Sequence, residues 1–154
     1  MSMLARYKKL GGFEQLLLLI ETSSDKKKDQ FLKLIETESA ATAALIKTKM
    51  LTVEKIFSWD PSFLGDITIQ LPSTILAILL KNKPDTMVQN VIATFPHLKK
   101  QEVLSTLKEM AISAGEFESA RMKLIQTVRD LNKSGAIKIT KIAPDLDIAD
   151  LKVS

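Results

Sequence analysis

The helical pattern is clearest in residues 53–82, which read VEKIFSWDPSFLGDITIQLPSTILAILLKN. Apolar side chains recur there at spacings of three and four residues, which is the period of one helix face. Pro61 and Pro72 punctuate the stretch, and each suits the first turn of a helix because proline lacks the N–H that later turns need. Residues 53–82 therefore predict several short helices in succession.

The same punctuation continues on both sides of this stretch. Pro61, Pro72, Pro84 and Pro96 recur at intervals of 11 to 12 residues, and each prevents the helix before it from continuing. Gly135 ends the last long helix, because glycine readily adopts the left-handed conformation found just after a helix. The predicted helices are residues 13–22, one beginning at 25, 40–50, 52–59, three beginning at 61, 72 and 84, and finally 96–111 and 115–132.

Residues 136–142, AIKITKI, are strand-like because apolar and polar side chains alternate with a period of two. No second stretch of this kind is present to pair with it. We therefore predict that residues 138–154 form an extended tail, which either packs on the helices or offers an edge to a partner. Asp145, Asp147 and Asp150 make this tail acidic.

A weak internal repeat relates two parts of the chain at an offset of 60 residues: residues 16–20 overlie residues 76–80, and Asp25 overlies Asp85. Repeated helical pairs that bury each other's apolar faces are typical of α-solenoids, although two leucine-rich helices can also match by chance. The predicted fold class is all-α, an armadillo/HEAT-like right-handed superhelix of short helices.

The composition excludes the common kinds of active site. The 154 residues contain no cysteine and a single histidine, His97. Thiol chemistry, thiolate metal sites and histidine-based triads therefore lack their residues. Gly11-Gly12 stands alone and makes no phosphate-binding loop. We predict no catalytic residue, no metal and no cofactor, and we expect that the protein is not an enzyme.

The charge pattern favours protein partners over nucleic acid. The formal net charge is +4, from 22 basic and 18 acidic residues, and 19 of the basic residues are lysine. Bidentate recognition of phosphates and bases prefers arginine, and eight aromatic residues provide few stacking platforms. The apolar run at residues 16–20 is far shorter than the roughly 20 residues that span a membrane. We expect a cytoplasmic protein with no direct membrane insertion.

The first predicted helix is apolar almost all round, which is more than one side of a terminal helix buries. A solenoid end without a polar face binds a partner or a second copy of the chain, so homo-oligomerisation is one expectation. Burial of this helix under residues 1–10 is the alternative. The candidate apolar interface comprises Phe13, Leu16, Leu17 and Ile20.

Three segments in collinear order resemble the C-terminal region of FliG, the flagellar rotor and switch protein family. They are residues 53–60 (VEKIFSWD), 76–82 (LAILLKN) and 128–137 (VRDLNKSGAI). The family carries a Phe-Glu-Asp-Ile stretch with a Leu-Asp-Asp turn, an Ala-Leu-Lys-Gly helix end and a closing Arg-Arg-Leu-x-x-x-Gly-Glu-Ile element at these places. The resemblance defines a FliG C-terminal-like helical domain over residues 12–137, preceded by a lead-in at residues 1–11.

The resemblance also implies a partner-binding surface and a hinge. The family engages the stator through charged residues, of which Lys81 retains the lysine. The family's first arginine, acidic pair and second arginine fall at Leu98, Ser105, Thr106 and Ser113. The candidate partner-binding residues are Lys81, Leu98, Lys99, Glu102, Ser105, Thr106 and Glu109. The candidate hinge is Met50, Leu51, Thr52 and Val53, where the family carries Met-Phe-x-Phe.

The function that the resemblance implies is that of a non-catalytic protein–protein interaction module. Its partners would be flagellar rotor or stator components, and its place the cytoplasmic side of the inner membrane at the flagellar basal body. A divergent, shortened relative that has lost most stator-facing charges is not expected to generate torque as the family does. The alternative is a cytoplasmic helical regulatory or adaptor domain unrelated to motility, such as the helical domain attached to magnesium transporters.

Overall fold

The computed structural model describes residues 3–109, 111–148 and 151–153, and within these ranges the chain is helical with no β-strand. The all-α class is thus confirmed, while the right-handed superhelix stays a prediction. Two 3-10 segments, Leu4–Tyr7 and Pro144–Leu146, accompany the α-helices. These helices are α1 (Gly12–Glu21), α2 (Asp25–Glu38), α3 (Ala40–Lys49), α4 (Val53–Phe57), α5 (Pro61–Thr68), α6 (Ser73–Leu80), α7 (Asp85–Ile92), α8 (His97–Glu109), α9 (Ala114–Ser134) and α10 (Ile139–Ile142).

Side-chain caps and prolines begin the helices close to the predicted positions. The side chains of Thr52 and Asp60 each accept a backbone N–H from the first turn of the following helix, α4 and α5. Pro61 is the first residue of α5, as predicted. Pro72 and Pro84 instead lie one residue before α6 and α7, with extended ψ angles of 152° and 143°. They are the N-cap residues of these helices, since their carbonyl oxygens accept the backbone N–H groups of Leu76 and Val88.

The chain divides into two compact units. Unit 1 comprises residues 1–51 together with residues 139–154, and unit 2 comprises residues 52–138. The lead-in predicted at residues 1–11 belongs to unit 1, and so does the tail predicted at residues 138–154, apart from Lys138. Unit 1 is therefore assembled from both ends of this sequence, whereas unit 2 is continuous.

Unit 1 is built on α1, α2 and α3, which pack in chain order, with the first 3-10 segment against α1. The Glu38 carboxylate on α2 accepts the backbone N–H groups of Met3 and Leu4, at 3.0 and 3.2 Å. This contact fastens the lead-in over the helices. The buried core consists of Leu4, Phe13, Leu16, Leu17, Ile20, Ile35, Ala43, Ile46, Met50 and Val153.

The segment predicted as an extended tail packs in unit 1, and it contains helical turns where an extended backbone was expected. Residues 139–142 form α10, and a 3-10 turn follows at residues 144–146. Ile139 and Ile142 also satisfy a spacing of three, and without a partner strand a helical turn is the way to satisfy the backbone locally. Leu146 and Val153 are buried, which anchors the segment in unit 1. The predicted acidic residue Asp150 lies outside the described residues.

Unit 2 is organised around α6, which packs against both α8 and α9, while α4 and α5 each pack against α7 and α9. The last five residues of α6, from Leu76 to Leu80, are all buried. The turn after α6 passes through Asn82, which has a positive φ of 66°. Lys83 follows, where it pairs with Glu54 of α4 and lies 5.3 Å from the ring centre of Phe117 on α9. The end of α6 is therefore fixed against α4 and α9.

Candidate partner-binding surface

Helix α8 carries most of the predicted partner-binding residues. It spans His97–Glu109, within the predicted range 96–111, and it packs against α6. Val103 is buried, and Leu104 and Leu107 are half-buried, so these three residues face the core. The opposite side of α8 is exposed and consists of Leu98, Glu102, Ser105 and Glu109.

Lys99 points inward from α8 and binds the backbone of the preceding segment. Its Nζ donates to the carbonyl oxygens of Thr68 and Leu71, at 2.7 and 2.6 Å. Partial burial lowers the pKa of Lys99 below its ordinary value, and the nearby Glu102 carboxylate opposes part of that effect. Lys99 therefore serves as a cation at the negative end of α5.

Several other predicted partner-binding residues are engaged within unit 2 as well. The Nζ of Lys81 donates to the carbonyl oxygen of Leu107 at 2.7 Å. Glu102 accepts a 2.7 Å hydrogen bond from the Ser73 hydroxyl. Thr106 is half-buried, and its hydroxyl bonds back to the Glu102 carbonyl oxygen at 2.8 Å. Most of the predicted charges on this surface thus have roles in holding α5, α6 and α8 together.

Leu98 is the most prominent side chain of the exposed stripe, since it is 72% exposed at the start of α8. Ile69, just beyond the end of α5, is 65% exposed and was not predicted as a site residue. Lys99 follows Leu98 and donates to the carbonyl oxygen of Thr68, the neighbour of Ile69. The sequence signal for Ile69 is only that it follows the last helical residue.

The predicted hinge, residues 50–53, lies where the chain passes from unit 1 to unit 2. Met50, Leu51 and Val53 are buried, and the Leu51 backbone N–H donates to the Glu21 carboxylate at 2.6 Å. Thr52 caps α4. The backbone of this connection is therefore fixed by named contacts, and its role as a hinge stays a prediction.

The predicted apolar interface is not at the surface. Phe13, Leu16, Leu17 and Ile20 are all buried in the core of unit 1. Leu4 lies in the same core, and the 3-10 segment that contains it packs on α1. The alternative of burial under residues 1–10 is therefore correct, and the interface prediction is corrected.

No metal centre or membrane span is found among the described residues. The ranges 3–109, 111–148 and 151–153 contain no group of three or more His, Cys, Asp or Glu side chains placed to hold a metal ion. In the same ranges, none of the helices has the length and apolar character needed to cross a membrane. The geometry of α8 is that of an exposed surface on a rigid helical scaffold.

Helix α8 is thus a surface helix of the all-helical unit 2. The family model described as FliG C-terminal domain matches residues 33–139, which is more than half of the chain. The chain belongs to the FliG C-terminal domain family. A comparison with curated proteins finds no match.

The family match extends from within α2 to the first residue of α10, and it includes all of unit 2. This family is a structural and interaction domain of the flagellar motor, not a known enzyme family. Its members belong to the cytoplasmic part of the flagellar basal body and interact with other motor proteins. Membership of this family therefore supports protein partners in general for this chain.

Proposed function

We propose that this protein is a non-catalytic interaction module of a flagellar rotor or a derived assembly, located on the cytoplasmic side at the basal body. The observation that carries the proposal is the exposed stripe of α8 on a member of the FliG C-terminal domain family. The stripe projects from a helix that α6 holds in place. The contact it makes differs from that of the family, because most stator-facing charges are missing.

The state of the remaining charges supports this difference. Leu98, Ser105 and Thr106 occupy the places of the family's first arginine and acidic pair, so none of these positions carries a charge. Lys81, which retains the family's lysine, donates a hydrogen bond from its ammonium group to the Leu107 carbonyl oxygen within unit 2. Complementary charges steer association and fix its register. A charge-steered contact with a stator should therefore be weak in this protein.

The same observations favour a second candidate, a cytoplasmic helical regulatory or adaptor domain unrelated to motility. In that case α8 would bind a partner outside the flagellum. The two candidates differ in whether rotor proteins capture the full chain, so a pull-down against purified rotor proteins separates them. Retention of the chain by a rotor protein supports the first candidate, and retention by none supports the second.

The decisive test of the rotor candidate is a chimaera. Residues 53–137 replace the matching segment in the switch protein of a motile bacterium. We expect flagella that assemble but do not rotate normally, because the scaffold is present and the charged contact is missing. Normal swimming would overturn the proposal that the missing charges weaken the contact with the stator. Absent flagella would overturn the proposal that residues 53–137 form a rotor-type scaffold.

A matched variant of the chimaera separates charge from fold. Leu98→Arg together with Ser105→Asp and Thr106→Asp restores charges of the family's type at these surface positions. Leu98 and Ser105 are exposed, so the helix should tolerate both changes. Recovery of rotation in this variant would show that the surface, rather than the scaffold, had limited motility.

A further inference from the structure

The segment before α1 folds back over unit 1 through a tight turn at Gly11 and Gly12. Gly11 has a positive φ of 76°, a conformation that glycine adopts without a steric penalty. A Cβ atom on Gly12 would lie 1.8 Å from the carbonyl oxygen of Tyr7 and 2.5 Å from its carbonyl carbon. The backbone at Tyr7 therefore approaches the start of α1 so closely that position 12 has no room for a side chain.

Residues 3–11 are attached to the helices of unit 1 through a carboxylate and a buried leucine. The Glu38 carboxylate on α2 accepts the backbone N–H groups of both Met3 and Leu4. Leu4 is buried and Tyr7 is half-buried, whereas residues 5, 6 and 8–10 are exposed. Most of this segment therefore faces solvent.

The segment covers apolar surface of unit 1. Its 3-10 turn, Leu4–Tyr7, packs on α1. The Leu4 side chain belongs to the same core as Phe13 and Leu17, and Met3 and Tyr7 pack against that core at its edge. If residues 3–11 moved away, water would reach apolar side chains that the segment now covers.

We propose that residues 3–11 form a latch, which opens as a unit about Gly11 and Gly12 while α1, α2 and α3 remain folded. The closed latch hides part of the apolar core of unit 1, and the open latch exposes it. The latch is thus a conformational device that controls access to this surface. It is independent of the proposed flagellar role, which depends on α8 in unit 2.

The attachments of the latch explain why it opens more easily than the helices unfold. Segments with little buried apolar surface open at a lower free energy than the core around them. Glu38 is an exposed residue, so water can solvate its carboxylate when the N–H groups of Met3 and Leu4 leave. Opening withdraws Leu4 from the core, whereas unfolding of unit 1 disrupts the whole core.

Amide hydrogen exchange of the full chain, followed by NMR, tests whether the latch opens separately. In the closed latch the Leu4 N–H is bonded to Glu38, and the Gly12 N–H to the Lys9 carbonyl oxygen at 2.9 Å. The N–H of Ile46, a buried residue within α3, reports on unfolding of unit 1. We expect protection factors at Leu4 and Gly12 to be lower than that of Ile46 by about tenfold or more.

Gly12→Ala should hold the latch open, because the new Cβ atom would clash with the Tyr7 carbonyl. Alanine is a better helix former than glycine, so α1 itself should tolerate the change. We expect the Leu4 N–H to exchange close to its intrinsic rate while the Ile46 N–H stays protected. Gly65→Ala in α5, where a Cβ would have no neighbour within 4 Å, is the matched control and should exchange like the parent.

Glu38→Ala tests the other attachment of the latch. It removes the acceptor of the Met3 and Leu4 N–H groups, so the protection factor of the Gly12 N–H should fall about tenfold. Glu36→Ala, at an exposed position of the same helix, should leave it unchanged. Fluorescence of a dye that binds exposed apolar surface should rise severalfold in Gly12→Ala and stay at the parent level in Gly65→Ala.

Three results would overturn the latch. The first is equal protection of the Leu4 and Ile46 N–H groups in the parent, which would mean that the segment opens only when unit 1 unfolds. The second is loss of protection at both residues in Gly12→Ala. The third is unchanged dye fluorescence in that variant. None of these results would affect the flagellar proposal, because the chimaera of residues 53–137 lacks the latch.

Discussion

The carboxylate of Glu21, the last residue of α1, accepts the backbone N–H of Leu51 at 2.6 Å, and both residues are buried. This hydrogen bond joins two positions 30 residues apart and ties the end of α1 to the connection that follows α3. A buried carboxylate is costly unless polar groups around it are satisfied. The bond explains why an acidic residue ends the most apolar helix of unit 1.

Replacement of Glu21 tests the importance of this bond. Glu21→Ala leaves the Leu51 N–H without this acceptor and opens a small cavity, so we expect a loss of about 2–4 kcal/mol in the free energy of unfolding. Glu21→Gln keeps an acceptor oxygen and should lose less. Urea denaturation measures both. Glu14→Ala, at an exposed position of the same helix, is the control, and an equal loss there would contradict the assignment.

We expect substitutions of Asn82 to change the stability of the protein through the backbone conformation at this position rather than through lost side-chain contacts. Its φ of 66° lies in the left-handed region, where residues with a Cβ are strained and Asn and Gly are favoured. Asn82→Ala should lower the free energy of unfolding by about 1 kcal/mol, and Asn82→Gly should preserve it. Both are measured by denaturant titration. Equal stability of the Ala and Gly variants would contradict the explanation.

Asp60 should contribute to the pH dependence of stability. Hydrogen bonds from the Ser62 backbone N–H and then the Ser62 hydroxyl lower the pKa of Asp60. A lowered folded-state pKa means that this contribution is present above about pH 4 and is lost as the pH falls through the folded-state pKa. Asp60→Asn caps a helix equally well but does not titrate in this range.

The measurement for Asp60 is the thermal midpoint near pH 7 and at about pH 2.5. We expect the parent and Asp60→Asn to be similar near pH 7, and the decrease on acidification to be smaller in the variant. Other carboxylates also titrate, so the quantity of interest is the difference between the two proteins. An identical decrease in both would rule out Asp60 as a contributor.

Substitution of two leucines in the N-terminal segment should change the stability to different extents. Leu4 is buried in the core of unit 1, whereas Leu10 is 94% exposed in a turn. Leu4→Ala should therefore cost about 2–4 kcal/mol in the free energy of unfolding, and Leu10→Ala should have little effect. Chemical denaturation of the full chain measures both. A tolerated Leu4→Ala would mean that the segment does not cover α1 in solution.

Lys99 should stabilise unit 2 through its two backbone contacts. Lys99→Met keeps an aliphatic stem but removes the hydrogen bonds to Thr68 and Leu71, for an expected loss of about 1–2 kcal/mol. Lys108→Met, at an exposed position of the same helix, is the matched control. The free energies of unfolding are compared at neutral pH. Equal effects at both positions would contradict the internal role of Lys99.

Features set by local sequence could be predicted, because caps and prolines act within a turn of their own position. Thr52 and Asp60 cap helices for that reason, and Gly135 ends α9 with a φ of 83°. Leu98 and Ser105 lie seven residues apart, so the helical period alone places them on one side of α8. These predictions did not depend on which other helix packs nearby.

Features set by distant parts of the chain could not be predicted. The sequence of α1 shows that the helix is apolar on most sides. It does not show that Leu4 and Val153, far away in the sequence, belong to the same core. The direction of a lysine side chain is also undetermined by spacing, since Lys99 and Lys81 reach carbonyls 28 and 26 residues away. The short repeat IKITKI fits both a strand and a helical turn, and the surroundings select the turn.

The assembly of unit 1 from both ends of the sequence sets an order of events during synthesis. The ribosome releases the chain from its N-terminus, so α1, α2 and α3 emerge first, yet their core is incomplete until Val153 has left the exit tunnel. Unit 2 is continuous and has all its residues once position 138 has emerged. We expect unit 2 to be able to fold first, with part of the core of unit 1 accessible to chaperones until residue 153 has also left the exit tunnel.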